Sequence, residues 1–158
     1  MITCEFEDGN KAGLRHLCVD MLVINDKGQI LMVKRSPKLF DGGRWGLVGG
    51  YMERDETARE AAAREALEET GWTIKNLKLL TINDMPERPR DANRQNISLV
   101  YICEAGKKVG EPDWESTEQK WFDLDDLPPK DKIAFDFMAD INLYKKYLEE
   151  KFPLPHGV

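Results

Sequence analysis

Three glutamates crowd into one short run, Arg64-Glu65-Ala66-Leu67-Glu68-Glu69, inside a stretch otherwise built of strong helix formers. At ~100° per residue of helix, positions 65, 68 and 69 fall within an arc of roughly 100°, so a helical reading brings the three carboxylates to one face. Like charges so placed repel, by more in a cleft than on an open surface, and a divalent cation would turn the same crowding into affinity. Carboxylates without histidine or thiolate beside them favour a hard cation, Mg2+ or Mn2+. Mg2+ keeps water in its shell and recruits substrate phosphates. The chemistry such a cluster suits is cleavage of a phosphoanhydride, in which bound metal neutralises pyrophosphate charge and acidifies the attacking water. Taken alone, Glu60, Arg64 and Glu68 make only the i,i+4 ion pairs of a solvated face.

The element that must position these groups is a helix over Ala58–Thr70. Ala, Leu, Arg and Glu dominate the segment, Thr57 with Glu60 forms a capping box, and Gly71 supplies the stop. Small residues at Ala58, Ala61 and Ala62 lie on nearly the acidic side and leave room for a metal and a bulky anion. Ala63, Ala66 and Leu67 form the opposite stripe, expected to face the core. Ahead of the helix, Trp45-Gly46-Leu47-Val48-Gly49-Gly50 ends in two glycines that permit a tight backbone. A bare backbone there can turn a carbonyl toward a metal.

The full spacing runs Gly50, five residues, Glu56, seven residues, Arg64-Glu65, Glu68-Glu69 and Gly71. It resembles the signature of the Nudix hydrolases across the 23 residues from Gly50 to Trp72. The chain departs from the family's usual form at Val48, where Pro is common, and at Asp55, often Gly; both changes affect loop stiffness more than chemistry. The resemblance implies an enzyme hydrolysing a nucleoside diphosphate linked to another moiety. It matches Glu65 and Glu69 to the family's principal metal ligands, and Glu68 to a further ligand or a water-activating base. Gly49 is a carbonyl ligand in the same scheme. Arg64 orients the neighbouring carboxylates, and Glu56 ties the loop to the helix or reaches a second metal through water. Because family members often draw an acid from outside the signature, Glu115 and Glu118 are candidates for an additional carboxylate, against the plain reading of a solvated acidic loop.

With 158 residues, 41% hydrophobic and 33% charged, the chain reads as one soluble domain over positions 1–158. A net charge of −6 disfavours nonspecific contact with nucleic acid or acidic membrane, although a local basic patch or a metal could still receive phosphates. MITCEFEDGN shows no apolar signal region, and no stretch approaches the ~20 apolar residues of a membrane span, so the expected address is cytoplasmic. Cys4, Cys18 and Cys103 are isolated and lack any C-x-x-C pairing, which suggests neither a disulfide framework nor a zinc site; buried thiols are expected. His16 in a strand and His156 in the tail read as structural or solvated.

In chain order, Leu14–Ile24 reads as a largely buried strand, Asn25–Gly28 as a turn and Gln29–Lys34 as the returning strand of a hairpin. Ser36–Arg44 is a loop. After the helix, Thr73–Thr81 and Asn96–Glu104 are strands, joined by Asn83–Gln95, whose Arg88, Arg90 and Arg94 present local positive charge in an acidic protein. These arginines are candidate phosphate or ribose ligands, unless the loop is merely a solvated connection. Glu111–Gln119 is an acidic loop, Lys120–Asp123 a short strand, Leu124–Pro129 a turn, and Asp131–Phe152 an amphipathic helix with Ile133, Phe137, Ile141, Tyr144 and Leu148 on one stripe. This order suggests an α/β arrangement with a mixed sheet between helices, and the family resemblance implies the Nudix α/β/α sandwich.

Outside the signature, Pro86–Arg94 leading into Asn96–Glu104, the segment Trp121–Pro128 and Ala134-Phe135-Asp136 resemble an ADP-ribose pyrophosphatase-like branch, which implies release of AMP and ribose 5-phosphate from ADP-ribose. Two alternatives stay open: a nucleoside triphosphate pyrophosphohydrolase that cleans the nucleotide pool, and a non-catalytic Nudix-fold binding or regulatory module. The intact set Glu65, Glu68 and Glu69 argues against the module, which has no need of a costly carboxylate cluster. The partner implied is a small-molecule nucleotide, with no nucleic acid or membrane expected. A homodimer is left open by the resemblance.

Overall fold

The computed structural model describes residues 2–88 and 95–157. Its nine strands are β1 (Ile2–Glu5), β2 (Lys11–Leu14), β3 (His16–Ile24), β4 (Ile30–Arg35), β5 (Trp45–Gly46), β6 (Val48–Tyr51), β7 (Trp72–Asn83), β8 (Asn96–Lys108) and β9 (Ser116–Phe122). The helices are α1 (Ala58–Thr70) and α2 (Phe137–Glu150), with a 3-10 turn at Lys130–Lys132 before α2. β1 and β2 form a separate antiparallel hairpin. The remaining strands make one mixed sheet, in which β3 runs parallel to β8 from His16↔Asn96 to Ile24↔Glu104.

On its other edge β3 is shared. It meets β4 at Ile24↔Ile30 and then diverges, and β6 takes its place from Met21↔Val48 to Cys18↔Tyr51. That exchange delivers Gly49 and Gly50 to the sheet just before the chain enters α1. Side chains alternate across β3 as strand geometry requires. Val19, Met21 and Val23 pack with Leu31, Val33 and Ala62 on the α1 face, whereas Leu22 packs with Ile30, Met32 and Ile141 on the α2 face. One helix on each face of a mixed sheet is the expected α/β/α sandwich.

α1 begins and ends where local chemistry dictates. Thr57 and Glu60 complete a capping box, and Gly71 sits at φ 71°, a left-handed conformation that closes the helix through its N–H to the Leu67 carbonyl. The face it buries corrects the sequence reading. Ala66 is in the core as expected, but Ala61 and Ala62 join it there, while Leu67 is 42% exposed and Ala63 is also exposed. Alanines let the helix axis approach the sheet closely; an apolar Leu67 could not turn inward without carrying Glu65 and Glu69 away from β6. Ala61 and Ala62 therefore fill the core and leave no room there for an anion.

Other boundaries differ as well. The strand expected over Leu14–Ile24 breaks at Arg15 into β2 and β3, and the hairpin β1–β2 was not anticipated. β9 begins at Ser116 rather than Lys120, pairing with β4 and drawing Glu118 into a strand. The last helix starts at Phe137 instead of Asp131, because Ile133 bridges to Trp45 and the Ala134 N–H bonds the Trp45 carbonyl at 2.8 Å. Phe137, Ile141 and Tyr144 form its buried stripe, and Leu148 remains exposed. All three cysteines are free, with Cys18 and Cys103 buried and Cys4 half-buried. Among the described residues no helix is long and apolar enough to cross a membrane.

Candidate active site

The carboxylates of α1 are placed from both ends of the helix. At its start, Gly50 lies against the Glu65 carboxylate so closely that any side chain at position 50 would collide with it. Gly49 is as tightly set against the Val19 carbonyl and donates its N–H to Glu69 Oε2 at 2.9 Å. At the other end, orphan helix carbonyls are met by β9 and the segment leading into it. The Asp113 N–H bonds the Glu68 carbonyl at 2.9 Å, Ser116 Oγ bonds that of Glu69 at 3.1 Å, and the Gln119 amide bonds that of Thr70 at 3.2 Å. These contacts carry Glu115 to the carboxylate end of the helix.

Arg64 gathers the acids. Its guanidinium donates to Glu56 at 2.7 and 3.0 Å, to Glu65 at 2.9 Å, to Glu68 at 3.1 Å and to the Tyr51 carbonyl at 2.9 Å. The hydrogen bonds from Arg64 hold Glu56 below the usual carboxylate range. Glu65 is pushed up by burial, with Arg64 opposing. Glu69, 5% exposed, is raised much further, again by burial first, with the Gly49 N–H pulling the other way and the charge of Glu65 adding to the rise. Glu68 stands at the surface, its side chain 52% exposed.

The three glutamates expected to converge do not meet at a point: among the described residues no three acidic, histidine or cysteine side chains form a ready metal cage. Arg64 takes Glu65 and Glu68 on one side and Glu69 turns under Gly49, because in this arrangement the guanidinium and a backbone N–H supply the positive charge. The donor set nonetheless suits a hard cation. It is all oxygen, and burial holds Glu65 and Glu69 above their ordinary range, the condition a divalent ion relieves.

A cleft of about 900 Å³ opens beside this helix, lined at the acidic end by Gly49, Gly50, Glu65, Glu68, Asp113 and Glu115. Burial, together with the charge of Asp113, raises the Glu115 carboxyl. Glu118 is not in the cleft. It projects from β9 and pairs with Lys34 at 3.4 Å. Arg88 does line the cleft, but its side chain is 8% exposed and bound to Asp136. Arg90 and Arg94 lie outside the described residues.

The cleft also holds residues that the sequence reading passed over. His16 stacks on Tyr51 at 4.1 Å between ring centres, and Arg35 lies 4.8 Å over the Phe135 ring. Asp20, 6% exposed, accepts a bond from Ser98 and is raised by burial. A lone acid inside the apolar run of β3 was the one legible sign of it; the rest come together only through the fold.

Comparison with known proteins accords with this geometry. The NUDIX domain family model matches residues 14–141. An ADP-ribose pyrophosphatase of Methanocaldococcus jannaschii is 36% identical over 126 residues, covering 79% of this chain and 70% of that protein. An oxidized purine nucleoside triphosphate hydrolase of Danio rerio is 32% identical over 123 residues, covering 75% and 73%. In fold, a NUDIX hydrolase from Nitrosomonas europaea superposes with a TM-score of 0.76 at 21% identity, covering 98% of this chain and 90% of that one. With its glutamate-bearing helix, its paired glycines and a family match over most of its length, the chain belongs to the NUDIX domain family and is a Nudix hydrolase.

Proposed function

We propose that the protein hydrolyses ADP-ribose to AMP and ribose 5-phosphate with Mg2+ or Mn2+ bound. The observation that carries the reading is Glu65, which lines an open cleft, with the buried Glu69 one turn further along the helix and held by the Gly49 N–H, both carboxyls raised by burial. The 36% identity to an ADP-ribose pyrophosphatase supports the choice of substrate. Glu65 and Glu69, with the Gly49 carbonyl, would hold the cation, which supplies charge neutralisation at the pyrophosphate and a more acidic water. Arg64 keeps Glu65 and Glu68 oriented and ties the loop at Glu56 and Tyr51 to the helix. Water attacks one phosphorus, the bridging P–O bond breaks, and each product leaves as a phosphate monoester. Glu115 accepts the proton of the attacking water; it faces the cleft and makes no bond to Arg64, whereas Glu68 is held by that guanidinium. Arg90 and Arg94 contribute to holding the phosphates or the distal ribose.

A second reading, hydrolysis of a nucleoside triphosphate to its monophosphate and pyrophosphate, is favoured by the 32% identity to an oxidized purine nucleoside triphosphate hydrolase. The test is a panel of ADP-ribose, NDP-sugars, dinucleotides and NTPs incubated with Mg2+ or Mn2+ and resolved by product. AMP from ADP-ribose is the expected result. Turnover of an NTP with no AMP from ADP-ribose replaces the first reading by the second.

A further inference from the structure

Opposite the α1 carboxylates, the floor of the cleft is itself acidic. Asp20 and Asp136 line it, Asp140 is buried near them on α2, and Arg88 is the one cation bonded into the group among the described residues. Its Nε donates to Asp136 Oδ2 at 2.7 Å, one Nη to Asp136 Oδ1 at 3.0 Å and the other to the Asn83 carbonyl at 3.0 Å. The Asn83 amide adds a bond to Asp136 Oδ2 at 3.0 Å. Asp136 is the N-cap residue of α2, yet its side chain makes no cap bond. An aspartate there ordinarily contributes ~1 kcal/mol by capping. Its carboxylate is committed instead to a two-pronged, largely buried arginine pair, the strongest geometry such a pair has.

The neighbouring residue shows what this holds. Phe135 lines the cleft with φ 49°, a left-handed conformation that a bulky side chain adopts only where its surroundings enforce it. On one side its N–H is fixed by Asp41 Oδ2 at 3.0 Å and its ring by Arg35; on the other the chain is fixed at Asp136 by Arg88. We propose that Arg88 is a positioning residue: acting through Asp136, it holds the Phe135 turn and offsets the acidic floor so that a nucleotide anion can enter, without touching the substrate itself. The role rests on the cleft's being the nucleotide site.

Arg88→Gln, Asp136→Asn, the double variant and Arg88→Lys test it, by KM and kcat for whichever nucleotide the panel shows to be cleaved. Arg88→Gln should raise KM at least about tenfold, equivalent to ~1.4 kcal/mol of binding, and change kcat far less. It leaves the carboxylates of Asp136 and Asp20 uncompensated where the anion must sit. Arg88→Lys should fall between, since an ammonium cannot make the paired bonds. The double variant should recover most of the lost affinity, because removing the Asp136 charge removes the need for Arg88. A double variant as impaired in KM as Arg88→Gln would mean that the guanidinium holds substrate, and an unchanged KM in Arg88→Gln would mean that it serves folding alone; either overturns the proposal. Should Arg88→Gln fail to fold, the double variant is compared with the parent protein: a KM within a few-fold of the parent's supports the proposal, and a KM raised tenfold or more overturns it. Should no nucleotide be cleaved, the functional reading falls by itself, and the dissociation constant for ADP-ribose takes the place of KM.

Discussion

Replacing Asp140 by asparagine should stabilise the protein at neutral pH and flatten its loss of stability toward alkaline pH. Asp140 lies on α2, 3% exposed, and its Oδ2 has no hydrogen-bond partner among the described residues. Burial, reinforced by the charges of Asp20 and Asp136 and opposed by Arg88 and the Asn83 side chain, lifts its carboxyl from 3.8 to about 8. The sign follows from which state holds the proton. Below about pH 4 the group is protonated whether the chain is folded or not, so it has no net effect. Between about pH 4 and pH 8 the folded protein keeps a proton that the unfolded chain releases, and stability falls by ~1.4 kcal/mol per pH unit, reaching about 4 kcal/mol by pH 7. Above about pH 8 both states are ionised and the penalty is constant. Asparagine keeps the shape without the charge. Its amide adds donors that need partners, at a cost of ~1–3 kcal/mol, which leaves a net gain on the order of 2 kcal/mol at pH 7. For a chain of this size that corresponds to a rise in Tm of roughly 4–8 °C. The assay is thermal unfolding of both proteins from pH 4 to pH 9 with chelator present, so that bound metal does not enter. Glu65, Glu69 and Asp20 slope in the same direction, and the difference between the two curves removes what is common to both proteins, leaving Asp140 together with its charge coupling to Asp20 and Asp136. Parallel curves, or a variant less stable at pH 7 than at pH 4.5 relative to the parent, would refute the reasoning.

The catalytic assignments carry further expectations. Glu65→Gln and Glu69→Gln should each lower turnover by at least ~10²-fold, the loss typical of a single group acting on transition-state charge, with circular dichroism unchanged; near-normal turnover in both would remove the metal-site assignment. Gly50→Ala brings a methyl against the Glu65 carboxylate, which can swing aside, so kcat should drop by about 10²-fold while Tm barely moves. A large fall in Tm would show that Gly50 serves the backbone rather than the carboxylate. Glu115→Gln should lower kcat by about 10²-fold or more with KM little changed, whereas Glu118→Gln, removing only an exposed ion pair, should shift stability by under ~1 kcal/mol and leave kcat intact; equal effects would return the proton acceptor to α1.

α1 was legible residue by residue because everything that defines it is local. The capping box of Thr57 and Glu60, the run of strong helix formers and the left-handed Gly71 lie within one stretch of chain, and the helix begins and ends where they place it. The full spacing from Gly50 through Glu56, Arg64-Glu65 and Glu68-Glu69 to Gly71 pointed to the family for the same reason. Which face of that helix turns inward was not local. The sheet accepted the alanines and left Leu67 in water, since close approach of the helix to β6, with Gly49 and Gly50 beneath Glu69 and Glu65, outweighs the burial of one leucine. Periodicity predicted a helix from Asp131, but Ile133 and Ala134 are captured by Trp45, far away in sequence, and the helix waits until Phe137. Glu115 and Glu118 look alike in a string of acidic residues. Only the pairing of β9 with β4 sends Glu118 to Lys34, and only the unsatisfied carbonyls at the end of α1 draw Glu115 to the cleft. Arg88 read as a loop cation available to phosphate, and the fold gave it to Asp136 instead. The sequence by itself determined the helix and the type of chemistry, since hydrogen bonds and spacing within a turn or two set both. The tertiary structure alone decided which charges meet, because burial and long-range pairing choose a partner for each charge, and neither can be read from its neighbours in the chain.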